Sequence, residues 1–134
     1  MCDMKRQKIT LQLDWEPELD NVSIPRFMLQ PLVENALQHG LIYGVDMIIS
    51  VNVERCDDRL RFRIANNGRV IAPARLELVR SSLEHPELSA SGRVGIANLA
   101  QRLKLKYPDR HNICVSSVPG ETVFSIEIPF DSAQ

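Results

Sequence analysis

Several absences narrow the problem before any motif is read. Lys and Arg (16) nearly balance Asp and Glu (17), leaving a formal charge of −1, so there is no electrostatic footprint for a nucleic acid or an anionic membrane surface. Cysteine is scarce: Cys2, Cys56 and Cys114 are odd in number and form no paired motif, which fits a reducing, cytosolic setting. His39, His85 and His111 lie far apart with no cysteine at ligand spacing, a pattern that argues against a structural metal centre. No apolar run reaches the length of a signal peptide or a membrane span, and the chain has neither an internal repeat nor a low-complexity tract.

What is there is a chain of 134 residues, 44% hydrophobic and 25% charged, enough to bury one respectable core. A single domain over 1–134 is expected, with its core at about 9–130. Alternation and β-branched runs predict strands at 8–13, 46–54, 59–65, 112–118 and 122–129, with a hairpin through Cys56-Asp57-Asp58. Amphipathic spacing predicts helices at 25–40 and 94–106, with Gly40 closing the first and Pro31 kinking it or starting its regular part. A shorter helix is expected at 73–82, followed by a mobile loop. Elements in this order predict an α/β (α+β) two-layer sandwich: a mixed, largely antiparallel sheet with helices on one face and a ligand between the layers.

The most informative stretch is 24–40, IPRFMLQPLVENALQHG. Leu29, Leu32, Val33, Ala36 and Leu37 form an apolar stripe, and Asn35 and His39, four apart, share a face beside it. An amide bordering the core is costly to bury alone, so Asn35 either caps backbone or holds something bound. Glu34 lies about a quarter-turn away, on the side better suited to solvent or a partner.

Residues 29–40, the Asn66-Asn67-Gly68 turn and residues 93–103 (RVGIANLAQRL) resemble, in this order, the Asn box and two glycine boxes of the gyrase, heat-shock chaperone, histidine kinase and mismatch-repair ATPase superfamily. The Leu-Gln-Pro-Leu-Val-Glu-Asn-Ala run ending in His-Gly is similar to the signature of the catalytic domain of LytS-type sensor histidine kinases. That resemblance implies a Bergerat-type ATP-binding fold in a two-component system. Its activity would be transfer of the ATP γ-phosphate to a histidine on the parent protein's own dimerisation domain, with ATP and Mg as cofactors and a response regulator as partner. It also implies a homodimeric, membrane-anchored parent with this domain in the cytoplasm. The phosphoacceptor is expected outside this stretch, because none of His39, His85 or His111 has the dimerisation-helix context the family uses.

Within the resemblance, Asn35 is the candidate metal ligand and nucleotide contact, since magnesium takes oxygen ligands, keeps several waters and arrives with phosphate. His39, Asn98 and Arg102 are candidate donors to phosphate oxygens. The backbone at Gly95 opens a helix, where free N–H groups favour anions, and Gly92 and Gly95 would let it approach. Asn66 and Gly68 complete the nucleotide-binding set, and 72–92 would be the lid. No catalytic acid or base is expected: where hydrolytic relatives carry an acidic residue four positions before the box Asn, this chain has Pro31.

Departures from the family pattern are equally specific. The family's Asp-Asn-Gly-x-Gly is Asn66-Asn67-Gly68-Arg69-Val70 here, its Gly-x-Gly-Leu-x-Asn is Arg93-Val94-Gly95-Ile96-Ala97-Asn98, and its closing Gly-Thr is Glu121-Thr122. The family's Asp accepts from the adenine amine; Asn66 would offer its carbonyl instead, weakening binding by about 1 kcal/mol or somewhat more, roughly tenfold. Its amide could also donate, and so discriminate less between purines. Val70 disfavours any positive φ that a glycine would allow. Alone, Asn66-Asn67-Gly68 is also an ordinary turn signal. These changes keep an alternative open, a degenerate, pseudokinase-like interaction domain with weak or no nucleotide binding. A gyrase-like ATPase or an anti-sigma-factor-like serine kinase fits less well.

Overall fold

A computed structural model describes residues 8–15, 17, 26–86 and 94–129. Five strands and three helices follow in the order β1 (Ile9–Trp15), α1 (Arg26–His39), β2 (Met47–Cys56), β3 (Arg59–Asn66), α2 (Pro73–Glu84), α3 (Val94–Lys106), β4 (Asn112–Val118) and β5 (Glu121–Pro129). Each expected element is present, with ends moved by at most two residues. The strands form one sheet in the order β1-β2-β3-β5-β4. β1 and β2 pair in parallel through the α1 crossover, and the other three pairings are antiparallel. The expected two-layer α+β architecture is therefore the one observed.

Alternation along the strands sets the two faces. Met47, Ile49, Val51 and Val53 of β2, Leu60, Phe62 and Ile64 of β3, and Phe124, Ile126 and Ile128 of β5 are buried under the helices. Intervening positions carry charge: Arg61 pairs with Glu54 at 3.2 Å and Glu127 at 3.0 Å, and Arg59 also reaches Glu127. α1 packs on α3 and β3, while α2 packs on α3 and β4, so α3 is the middle helix. Its Leu99 and Leu103 are fully buried, each stabilising the fold by about 1.5–3 kcal/mol relative to exposure. The α1 stripe is deepest at Met28, Leu32 and Ala36, with Leu29, Val33 and Leu37 partly buried beside it. Pro31 sits inside α1.

Local rules account for the joints. The β2–β3 hairpin turns in two residues, with Asp57 at φ +57°. α2 starts with Pro73 in its first turn, where the missing N–H is no loss, and runs two residues beyond the expected end. The mobile loop expected after it, and with it Gly92 and Arg93, lies largely outside the described residues. Gly40 does follow α1, but its φ is not positive. The chain is crowded there: a Cβ on Gly40 would stand 2.7 Å from the Ala36 carbonyl oxygen and 3.3 Å from Asn66 Oδ1.

Candidate functional site

The C-terminal turns of α1, the end of β3, the segment leading into α2 and the start of β5 converge on one cavity of about 290 Å³. That is close to the lower end of the range for small-molecule sites, about 300–1,000 Å³. Asn35 and His39 line it from α1, one helical turn apart as their spacing requires, with Asn35 half-buried and His39 exposed. Glu34 is exposed and accepts a hydrogen bond from Gln30 Nε2 at 3.2 Å, away from the cavity lining.

Asn66 and Thr122 form the inner end. They are cross-strand partners in the β3–β5 register, and both continue the core-facing series of their strands, after Phe62 and Ile64 on one and before Phe124 and Ile126 on the other. Polar side chains thus occupy positions where the alternation calls for apolar ones, with only 8% and 3% of their surfaces exposed. Thr122 shares a 2.6 Å hydrogen bond with Ser117, whose hydroxyl accepts from the Ile71 N–H at 2.9 Å. Asn66 Oδ1 accepts from the Gly68 N–H at 2.8 Å. One lone pair of that carbonyl is therefore engaged inside the protein, which leaves the second for the expected offer to a base.

The rest of the turn is structural. Asn67 clasps the start of β2, accepting from the Ile48 N–H at 2.7 Å and donating to the Asp46 carbonyl at 3.2 Å. Gly68 is buried against Gly40, and the Arg69 N–H donates to the Gly40 carbonyl at 2.7 Å. Val70 lines the cavity without a positive φ, so the β-branched residue is not strained where it stands. Glu121 points to the polar face and pairs with Arg63 at 3.7 Å.

The lining residues that the sequence reading did not single out include Thr122 and two exposed cations, Arg69 before α2 and Arg75 within it. For Arg69 the sequence signal was its place directly after the Asn-Asn-Gly turn. The two cations give the cavity mouth a cationic rim beside His39, and the described lining contains no Asp or Glu. Of the remaining expected residues, Gly68 lies just behind the lining, while Gly95, Asn98 and Arg102 lie on the exposed part of α3, outside the cavity. Gly95 is close to Pro31, one turn before Asn35; a Cβ on it would stand 3.9 Å from Pro31 Cβ. No group of three His, Cys, Asp or Glu that could hold a metal occurs among the described residues. None of the described helices is long and apolar enough to cross a membrane.

Known proteins resemble this chain in sequence and in fold. The family model described as "Histidine kinase-, DNA gyrase B-, and HSP90-like ATPase" matches residues 20–132. The sensor histidine kinase YpdA of Escherichia coli (strain K12) is 33% identical over 102 residues, covering 75% of this chain and 17% of that protein. Sensor protein LytS of Oceanobacillus iheyensis is 27% identical over 97 residues, covering 72% of this chain and 17% of its own length. The chain thus spans about a sixth of these curated relatives. Among solved structures, the catalytic domain of histidine kinase ThkA superposes with a TM-score of 0.62 at 18% identity, covering 95% of this chain and 82% of that one. At that identity the likeness speaks for the fold alone.

Proposed function

The chain belongs to the histidine kinase-, DNA gyrase B- and HSP90-like ATPase family, and from that premise we propose that its cavity binds ATP for phosphoryl transfer to a histidine on a dimerisation domain of the same protein. It is an ATP-binding catalytic domain of the sensor histidine kinase kind. The observation that carries the proposal is the cavity's chemistry: three amides, an imidazole and two guanidinium groups line it, and no carboxylate among the described lining residues stands ready to activate water. Such a lining suits a polyanion that must be held without being hydrolysed.

Each residue then has a part. Arg69, Arg75 and His39 attract and orient the phosphate chain, while Asn66 and Thr122 meet the base at the inner end. Gly95, Asn98 and Arg102 approach the phosphates beyond the cavity mouth, a placement supported by the packing of α3 on α1. The lid expected over 72–92 falls partly on α2, which is anchored to the core through Val79 and Leu83; residues 87–92 lie outside the described residues. A lone neutral amide oxygen at Asn35 fits magnesium that comes with the phosphates and keeps its waters; it would not hold the ion unaided. Magnesium supplies charge neutralisation on the transferring phosphoryl group. The parent protein would be a membrane-anchored homodimer passing the phosphoryl group to a response regulator.

Calorimetric titration with ADP and a non-hydrolysable ATP analogue, with and without magnesium, tests this. Magnesium-enhanced binding in the micromolar to sub-millimolar range that Asn35→Ala abolishes is the expected result. Absence of heat up to millimolar ligand, with the fold intact, would instead favour an interaction domain without nucleotide.

A further inference from the structure

We infer that Asn66 turns the base end of this cavity from an acceptor into a donor, so that a 6-oxopurine nucleotide, carrying hypoxanthine or guanine, binds at least as tightly as the adenine nucleotide. This rests on the nucleotide-binding reading above. A nucleotide has one sensible orientation in the cavity. Its phosphates, costly to desolvate, belong at the exposed rim of His39, Arg69 and Arg75; its base, with apolar faces and a few hydrogen-bonding atoms, belongs at the buried end formed by Asn66 and Thr122.

The orientation of the Asn66 amide follows from its partner. A backbone N–H can only donate, so the Asn66 atom 2.8 Å from the Gly68 nitrogen is the carbonyl oxygen. The amide nitrogen is left on the other side, and among the described residues it donates to no protein group. Rotating the amide by half a turn would set its N–H₂ against the Gly68 N–H and sacrifice a buried hydrogen bond. The Asn66 group left with its full hydrogen-bonding capacity is therefore the donor, while its oxygen keeps one lone pair. The 6-amino group of adenine is also a donor, whereas the 6-oxo group of hypoxanthine or guanine is an acceptor at the same ring position. An Asp at this site would behave oppositely: one oxygen would take the Gly68 N–H and the other would accept from adenine.

ADP and IDP, which differ at the 6-position and in the proton on N1 and not at the 2-position, read the effect, and the Asn66→Asp comparison assigns it to residue 66. Both are titrated with magnesium into the chain, its Asn66→Asp variant and its Asn35→Ala variant. IDP is expected to bind the unaltered chain at least as tightly as ADP, and Asn66→Asp is expected to move the ratio toward ADP by about tenfold. A clear preference of the unaltered chain for ADP overturns the inference by itself, even if Asn66→Asp fails to fold. A ratio that Asn66→Asp leaves unchanged overturns it too. In either case, binding that Asn35→Ala abolishes would leave the nucleotide site standing; absence of binding by both nucleotides, with the melting transition intact, removes the site and the inference together.

Discussion

Replacing Gly68 by Ala is the sharpest test of how this site is assembled. A Cβ at residue 68 would stand 2.2 Å from the Gly40 carbonyl oxygen, 2.7 Å from the Gly40 carbonyl carbon and 2.6 Å from Met47 Cε. The methionine can turn aside, but the Gly40 backbone cannot, so the loop after β3 must lift away from the end of α1. Two hydrogen bonds stretch or break, from Arg69 N–H to Gly40 and from Gly68 N–H to Asn66. At about 1 kcal/mol each, plus about 1–3 kcal/mol for forced repacking, the loss is about 3–5 kcal/mol. With an unfolding entropy of about 2.1 cal/mol/K per residue, this lowers Tm by roughly 10–18 °C. Urea denaturation with an unchanged slope, alongside calorimetric melting, reads the effect. Gly44→Ala is the control: residue 44 has φ +80° with nothing within 4 Å of its Cβ position, so only backbone strain of about 1–2 kcal/mol applies. A Gly68→Ala protein that melts within about 2 °C of the parent, or no lower than Gly44→Ala, would refute the steric reasoning.

Two other outcomes are expected. Arg75→Gln should weaken nucleotide binding by about tenfold at low salt and by less at 1 M salt, because it removes a cation from the exposed rim; a salt-independent loss would point to altered packing. Burial pushes the Tyr107 phenol above its ordinary value of 10.0, so the unfolded chain ionises first; the contribution of the neutral phenol is complete below pH 10 and falls as pH rises beyond it. Tyr107→Phe should therefore flatten the decline in stability above about pH 10, and parallel pH–stability curves for the two proteins would contradict this.

Much of the fold was legible because its signals are local. Alternation and β-branched runs placed the strands, and 3.6-residue spacing placed α1 and α3, since side-chain direction follows backbone geometry within a few residues. The pairing of Asn35 with His39 came from the same rule. Thr122 was legible in principle, as the polar end of an otherwise apolar strand face, yet the altered Gly-Thr pattern drew notice to Glu121, which faces the opposite side of the sheet. Arg75 had no such mark, because a cation on an amphipathic helix ordinarily reads as solvated surface.

The sequence by itself determined the family, the layers of the fold and the helix face that carries Asn35, all properties written in residue order and local period. Tertiary structure alone decided that Asn66 and Thr122 become register partners, that Gly68 is required by the approach of Gly40, and that the oxygen of Asn66 turns inward. Those facts depend on contacts between segments far apart in the chain, where a few tenths of an ångström decide whether a side chain fits and a single N–H decides which end of an amide faces the ligand.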